Sequence, residues 1–192
     1  MRGKHEQIRL LGDPCLRQIC EPVLDFRSDG FRKEGKRLLC ALEQFRAEWG
    51  FGRAIAAPQI GIPRRMIAMN LGQGPFLVVN PEISSRSIET FTLWDDCMSF
   101  PWIMVRLRRH KHLDLTWMDA SGSPQKWSRV DPALSELIQH ETDHLDGILA
   151  VDHALDCDAI IARKLYEERR QFFDGQVDYS IVPTIQKPFG GE

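Results

Sequence analysis

The chain has 192 residues, the length of a single domain, and its 43% apolar and 27% charged residues are typical of a soluble globular protein. Its 25 basic and 27 acidic residues give a formal net charge of −2, which excludes a protein that coats a polyanion through bulk positive charge. Five cysteines are too few, and odd in number, for a disulfide framework, so we expect a reducing environment.

The N-terminal residues show no targeting signal, since the charges of residues 1–7 are not followed by the apolar stretch of a signal peptide. No segment approaches the roughly 18 uninterrupted apolar residues that a membrane-spanning helix needs. We therefore expect a cytoplasmic protein with a single domain over residues 1–174 and a tail over residues 175–192. Neither DNA nor a membrane is expected as a partner.

The first predicted element is a helix from Ser28 or Asp29 to Trp49, because apolar residues recur there at helical spacing and Gly50 follows. After the glycine at position 61 the pattern changes to short segments that are typical of β-strands. These segments cover residues 66–69, 76–79, 88–93, 113–117 and 126–130.

Two further helices are predicted in the second half of the chain. Asp131 followed by Pro132 indicates the start of a helix, and Gly147 indicates its end. The last helix is expected from about Asp156 to about Phe173. Its buried side is expected to contain Ile160, Ile161, Leu165 and Phe172.

The strongest chemical signal is the sequence HETDH at residues 140–144, within the helix that Asp131 begins. His140 and His144 are four residues apart on one helix face, so both imidazoles can bind one cation. Glu141 lies beside them, where its carboxylate is placed to take a proton from a water that a zinc-type ion activates. Since a chain of this length needs no metal to fold, such an ion is expected to be catalytic.

A catalytic metal site needs a third protein ligand and an open position. Cys97, which follows a predicted strand, would supply a thiolate. Glu167 or Glu168 is the alternative, as in zinc peptidases that take a glutamate from a later helix. The other cysteines and three histidines are interpreted as buried, surface or hydrogen-bonded residues without a metal. These are Cys15, Cys20, Cys40, Cys157, His110, His112 and His153.

Three segments occur in an order that resembles the signature motifs of the peptide deformylases: GRAIAAPQIG at 52–61, DCMS at 96–99 and QHETDHLDG at 139–147. The similarity covers about residues 8–173, and the third motif matches throughout. The resemblance implies an α+β fold with antiparallel sheets around a central helix that carries the third motif, together with an N-terminal and a C-terminal helix.

The resemblance also implies a reaction, the removal of the formyl group from the N-terminal formyl-methionine of newly made polypeptides, with release of formate. Glu141 would be the general base, and Gln59 and the Met98 N–H would stabilise negative charge on the formyl oxygen. A capping role in a turn is the alternative for Gln59. One divalent ion is implied, Fe²⁺ in the cell, with Zn²⁺, Ni²⁺ or Co²⁺ able to substitute. Its ligands would be Cys97, His140 and His144.

The first motif departs from the family pattern at Ala54, where the family has glycine. Its methyl group is expected to narrow the substrate groove or to shift the backbone there, because glycine often marks close backbone approach. Arg53 and Ile55, its two neighbours, are expected to contact the substrate as well.

The second motif departs at two positions. Asp95 replaces a glutamate, and the shorter side chain is expected to weaken an ion pair with Arg109 or, as the alternative, with Arg108. Asp96 replaces a glycine whose backbone faces the substrate, so it adds a side chain near the site. Two hypotheses follow: an active deformylase with altered rate or preference, or a paralogue with impaired or shifted activity on other N-acylated amines or peptide N-termini.

The basic segment 106–112, RLRRHKH, has two interpretations. It is either a solvated strand edge with one arginine turned inward, or a contact with ribosomal RNA, since the family acts on nascent chains.

Overall fold

Within residues 6–181, which the computed structural model describes, eight strands form two antiparallel sheets. In chain order the strands are β1 (Ala54–Ala56), β2 (Met66–Asn70), β3 (Pro75–Arg86), β4 (Thr90–Asp95), β5 (Ile103–His110), β6 (Leu113–Met118), β7 (Pro124–Trp127) and β8 (Ile160–Ala162). The larger sheet has the order β1–β2–β3–β6–β7, and the smaller sheet has the order β4–β5–β8. The antiparallel pairing confirms the predicted α+β class.

Four α-helices accompany the sheets in this part of the chain: α1 (Asp29–Trp49), α2 (Pro132–Leu145), α3 (Arg163–Glu168) and α4 (Arg170–Asp174). Helix α1 has the predicted bounds. Its N-cap, Ser28, accepts a hydrogen bond from the Phe31 N–H, and Gly50 ends the helix with a left-handed φ of 73°.

Helices α1 and α2 lie on opposite faces of the larger sheet. Successive side chains along each strand alternate between these two faces, so one strand contributes to the core under each helix. On β1 this alternation places Ile55 in the core beneath α1, and Ala54 and Ala56 in the core beneath α2. Helix α2 also packs against β5 of the smaller sheet. It is therefore the predicted central helix, and it brings the HETDH segment between the two sheets.

The start of α2 follows its sequence signals. The Asp131 carboxylate accepts a hydrogen bond from the Leu134 N–H at 2.9 Å, and Pro132 is the first helical residue. The helix ends at Leu145, two residues before Gly147, whose φ is 73°. The left-handed conformation at Gly147 lets the chain turn away from the helix.

Replacing Gly147 with alanine is expected to lower the free energy of unfolding by about 3 kcal/mol, the upper end of the range for backbone strain. A Cβ there would lie 2.6 Å from the carbonyl oxygen of Arg17, a backbone atom that cannot rotate away. Gly74→Ala is the matched control, because its φ is 102° but its Cβ would have no neighbour within 4 Å. Urea unfolding should show the larger loss for Gly147→Ala, and equal losses would contradict the steric argument.

A hairpin turn changes the bounds of one predicted strand. The Asp119 carboxylate accepts hydrogen bonds from the N–H groups of Ser121 and Ser123 at 2.8 and 3.0 Å, which closes the turn early. The following strand therefore pairs with β6 over Pro124–Trp127, instead of covering residues 126–130 as predicted.

The prediction of one long C-terminal helix over residues 156–173 is wrong. The segment Ile160–Ala162 forms β8, and the two short helices α3 and α4 follow it. Its β-branched residues favour a strand, and pairing with β5 satisfies backbone groups that would otherwise lie at a sheet edge. The predicted buried side is also wrong in part, since Ile160 and Phe172 are 44% and 62% exposed, whereas Phe173 is buried.

The predicted tail lies within the described residues only as far as Ile181. There the Asp178 carboxylate accepts hydrogen bonds from the N–H and the hydroxyl of Thr92 at 2.9 and 2.8 Å, and Tyr179 packs against Phe91. Residues 1–5 and 182–192, which include most of the charged segment 1–7 and the end of the predicted tail, lie outside the described residues. None of the described helices is long and apolar enough to cross a membrane.

Candidate active site

The fold brings the three residues predicted as metal ligands together. His140 and His144 lie one turn apart on α2, and Cys97 follows the end of β4. The Cys97 Sγ lies 3.3 Å from His144 Nε2, and ligand atoms of all three side chains lie within 4.8 Å of one another. A thiolate and two imidazoles suit zinc, iron, cobalt or nickel, and three protein ligands leave one tetrahedral position open.

The two imidazoles fit a divalent ion. His144 Nδ1 is buried without a hydrogen-bond partner among the described residues, whereas its Nε2 faces Cys97. Burial and the nearby charge of His140 lower the pKa of His144 to about 3, so this ring is neutral, the form that binds a metal. Burial also acts to lower the pKa of His140. The nearby Asp95 carboxylate, through its charge and its hydrogen bond, has the larger effect and raises the pKa of His140 well above its usual value. A metal ion that binds His140 therefore displaces a proton from the ring.

Asp95 holds the His140 ring from behind. Its Oδ2 accepts a hydrogen bond from His140 Nδ1 at 2.9 Å, which leaves Nε2 for the metal. The same oxygen lies 3.5 Å from Arg109 Nη2, so Arg109 is the ion-pair partner, and the contact is long, as expected for the shortened side chain. Burial acts to raise the pKa of Asp95, but His140 and Arg109 together lower it to about 2.

The buried Arg109 has a second partner that sequence reasoning missed. Its Nη1 lies 2.5 Å from the Asp143 carboxylate, which also lies 3.1 Å from His153 Nε2. The alternative partner, Arg108, is exposed and donates to the Thr90 hydroxyl. The only sequence signal that could have pointed to Asp143 as a partner of Arg109 was its position inside the HETDH segment.

Gln59 caps a turn and faces the metal ligands at the same time. Its Oε1 accepts a hydrogen bond from the Ala56 N–H at 2.8 Å. This contact directs Nε2 toward Cys97 Sγ at 3.5 Å and Ser99 Oγ at 3.2 Å. Next to Cys97, the Met98 N–H donates to no acceptor within the described residues. The same orientation of the Gln59 side chain therefore caps the turn and places the amide nitrogen beside the metal ligands.

Glu141 is a buried carboxyl group with a free oxygen. Its side chain lines the same cavity as His140 and Gln59, and its Oε2 has no hydrogen-bond partner among the described residues. Because burial penalises the charged form, the pKa of Glu141 is raised to about 7. A carboxyl group with a pKa near neutrality is well suited to accept and return a proton.

The cavity beside the ligands has a volume of about 210 Å³. Arg53 and Ala54 line it from the side of β1, and Asp96 lines it from the loop that carries Cys97. Ile55 does not line it, because its side chain is buried in the core on the other face of the sheet. Its predicted contact with the substrate can therefore involve only its backbone.

The side chain of Asp96 is tied to the C-terminal segment. Its carboxylate lies 2.5 Å from Arg163 Nη2, and the Arg163 guanidinium stacks on the Phe51 ring, 4.8 Å from the ring centroid. Arg163 Nε also donates to the Pro101 carbonyl oxygen. Arg163 is the first residue of α3, so its ion pair with Asp96 fixes α3 against the loop that carries Cys97. No feature of the sequence indicated this ion pair.

The alternative third ligands lie apart from the cluster. Glu167 lines the cavity but is not one of the three grouped ligands, and Glu168 is exposed on α3. The structure thus favours the thiolate of Cys97 over a glutamate.

Residues 5–159 match the sequence model of polypeptide deformylases. The chain belongs to this family. The peptide deformylase of Thermotoga sp. (strain RQ2) is 33% identical over 158 residues, which cover 82% of this chain and 92% of that protein. The crystal structure of the Thermotoga maritima peptide deformylase has a TM-score of 0.71 at 32% identity and covers 79% of this chain and 99% of that one. The Legionella pneumophila deformylase structure has a TM-score of 0.72 at 26% identity and covers 90% and 96%.

Membership in the deformylase family confirms the resemblance inferred from the three motifs, and the Cys/His/His site is that of a metal-dependent hydrolase. The match to the family model ends at residue 159. The cavity residues Arg163, Tyr166 and Glu167 therefore come from a segment beyond the matched part of this deformylase.

Restoring a glycine at Asp96 of this deformylase is expected to change kcat/KM for a formyl peptide by about fivefold at most. The charge of Asp96 is already balanced by Arg163, and a partly exposed ion pair contributes at most about 1 kcal/mol. Formate release measures the effect, with Asp96→Asn as the control that keeps the shape of the side chain. A gain above about tenfold would show that Asp96 impairs the enzyme.

Proposed function

We propose that this protein removes the formyl group from the N-terminal formyl-methionine of newly made polypeptides and releases formate. The observation that carries the proposal is the convergence of Cys97, His140 and His144 with the Glu141 carboxyl group at one cavity of a deformylase-family chain.

The residues at the cavity supply the steps of this hydrolysis. A divalent metal ion held by the three ligands would polarise the attacking water and the formyl carbonyl group. Glu141 accepts a proton from the water at its free Oε2, and the water oxygen adds to the formyl carbon. Gln59 Nε2 and the Met98 N–H donate to the formyl oxygen as it gains negative charge. Glu141 then gives the proton to the α-nitrogen of the first residue as the bond between this nitrogen and the formyl carbon breaks. The products are formate and a free N-terminal amine.

Other residues position these groups and the substrate. Asp95, supported by Arg109, fixes the His140 ring through its Nδ1 hydrogen bond. Since β1 is at the edge of the larger sheet, we propose that the substrate backbone runs beside Ala54, with Arg53 and Asp96 lining its path and the Ile55 backbone available for pairing.

Fe²⁺ is the ion we propose for the cell, as the resemblance to the deformylases implies. Zn²⁺, Ni²⁺ or Co²⁺ would be able to substitute, because all four ions accept a thiolate and imidazoles as ligands. Metal analysis of protein purified without oxygen should find one such ion per chain. Activity that depends on a different ion would overturn this assignment.

The test of the proposed function is formate release from a formyl-methionyl tripeptide by protein reconstituted anaerobically with Fe²⁺. We expect turnover that a chelator abolishes. Absence of formate from a metal-loaded protein would favour the second candidate, a paralogue that acts on other N-acylated amines or peptide N-termini. That candidate is supported by the charged side chains in the cavity, Asp96 and Arg163 among them.

The ribosome, in the cytoplasm, is the further partner we propose to test. In the segment 106–112, Arg109 is buried, as expected for the one arginine turned inward, and Arg106 and Lys111 pair with Asp156 and Glu89. The segment is not a sheet edge, however, because β5 lies between β4 and β8 in the smaller sheet. A contact with ribosomal RNA predicts cosedimentation with ribosomes that weakens with salt. Equal sedimentation of a variant with alanine at the exposed Arg108 and Lys111 would contradict it.

A further inference from the structure

Most charged side chains that line the cavity are paired with a neighbour of opposite charge. The pairs are Arg53 with Glu136, Asp95 with Arg109, Asp96 with Arg163, and Arg170 with Asp174. Each pair has no net charge, so a charged substrate group gains little from it. Within residues 6–181, two carboxyl groups of the cavity stand outside these pairs: Glu141, which is the proposed general base, and Glu167.

Glu167 is an exposed carboxylate of α3 that lines the cavity without a partner. Lys164 and Arg170 are three residues before and after it in the sequence. Nevertheless, Glu167 forms no ion pair or hydrogen bond with any residue in the described part of the chain. Its charge therefore leaves the α3 side of the cavity with an excess of negative charge.

The contacts of Arg163 set the position of Glu167 relative to the metal ligands. Arg163 Nη2 lies 2.5 Å from the carboxylate of Asp96, which is next to the ligand Cys97. Glu167 follows Arg163 by four residues on α3, so the two side chains share one face of the helix, with Cβ atoms about 6 Å apart. Glu167 therefore lies one helical turn from the loop that carries Cys97, and it is not one of the grouped metal ligands.

A peptide substrate has to extend from the metal ligands out through this cavity. When its formyl group lies at the ligands, each further residue of an extended chain adds about 3.4 Å. The first residue is methionine in the proposed reaction, so the side chains that vary along α3 are those of the second and third residues. A lysine there has a flexible stem that ends in an ammonium group, which suits an exposed carboxylate.

We propose that Glu167 favours substrates with lysine or arginine at the second or third residue, and that it is a specificity-determining residue of this protein. The cationic group pairs with the Glu167 carboxylate, whereas an acidic side chain is repelled by it. This inference rests on the proposed function, since it assumes that a formyl peptide is hydrolysed at the same site. Because α3 lies outside residues 5–159, which match the family model, the preference belongs to the C-terminal segment of this chain.

The first test compares wild-type kcat/KM for formyl-methionyl peptides with lysine, acetyl-lysine or glutamate at the second or third residue. Acetylation removes the charge of lysine and keeps its stem, so it isolates the ion pair. At one of the two positions lysine should exceed acetyl-lysine by about three- to fivefold, the size of an exposed ion pair, and glutamate by more. Equal values for lysine and acetyl-lysine at both positions would overturn the inference.

Salt provides a second measurement on the same peptides. The ratio of lysine to acetyl-lysine should approach one at about 1 M salt, where the Debye length is only about 3 Å. A ratio that did not change with salt would contradict an ion pair as the source of the preference.

The third test assigns the preference to Glu167. Glu167→Gln should bring the ratio of lysine to acetyl-lysine close to one, and Glu167→Lys should make the glutamate peptide better than the lysine peptide. The change should appear in KM rather than in kcat, since a contact remote from the formyl group is equal in the ground and transition states. Glu168→Gln is the matched control, because Glu168 is exposed on the same helix but does not line the cavity, and it should keep the wild-type ratio. A lysine preference that survived in Glu167→Gln would overturn the assignment.

The outcomes separate this inference from the proposed function. Formate release from every peptide with the same kcat/KM would overturn the preference and support formyl hydrolysis. No formate from any peptide, with one metal ion bound, would overturn both.

Discussion

Glu141→Gln should lower kcat/KM for a formyl-methionyl tripeptide by about 10²–10⁴-fold, the usual contribution of a positioned general base. The amide keeps the shape of the side chain but cannot accept a proton from the attacking water or return it to the departing amine. Because Glu141 is not one of the grouped ligands, the metal content should stay at one ion per chain. Formate release and metal analysis of the same preparation measure both quantities.

Glu168→Gln is the control for this substitution, since it makes the same chemical change at an exposed carboxylate of α3. It should leave kcat/KM close to the wild-type value. A Glu141→Gln enzyme that retained more than about a tenth of wild-type activity would contradict the role in proton transfer, because a general base contributes more than that. Loss of the metal in this variant would instead indicate that Glu141 is a ligand.

The metal-binding helix was predictable because its signals are local. The N-cap at Asp131, the proline that follows it and the spacing of His140 and His144 all act within a few residues along the chain. Each predicts the same helix, and the structure has it with nearly the same bounds. The first helix was predictable for the same reason, with Ser28 and Gly50 as its two ends.

The third ligand could not be derived from local signals. Cys97 reaches His144 only because β4 pairs with β5, and α2 packs against β5. Spacing along the chain contains no information about that packing, so Glu167 remained a formal alternative. Resemblance to a known family identified the thiolate, and the tertiary structure shows why it lies beside the two imidazoles.

The C-terminal segment shows how tertiary context can override helical periodicity. Apolar residues recur at helical spacing there, yet Ile160–Ala162 completes the edge of the smaller sheet, where backbone pairing with β5 outweighs local preference. The ion pair of Arg53 and Glu136 was equally hidden, because its members are far apart in the sequence and meet only where β1 lies against α2.

Cys97→Ser should reduce bound metal from one ion per chain to nearly none, and kcat/KM should fall by at least about a thousandfold with the loss of Lewis-acid catalysis. A serine hydroxyl is nearly the size of the thiol but is not a soft anionic ligand at neutral pH, so it binds zinc-like ions poorly. The two imidazoles that remain are too few for a stable tetrahedral site. Metal analysis after dialysis, together with formate release, gives both values.

Glu167→Gln is the matched variant, because it changes the other side chain that the sequence allowed as third ligand. Glu167 lines the same cavity but lies outside the group of ligand atoms, so its loss should leave the metal content unchanged. Metal loss in Cys97→Ser alone would assign the thiolate site. Metal loss in Glu167→Gln alone would overturn it and identify a peptidase-type site, in which a glutamate of α3 moves to join His140 and His144 when the ion binds.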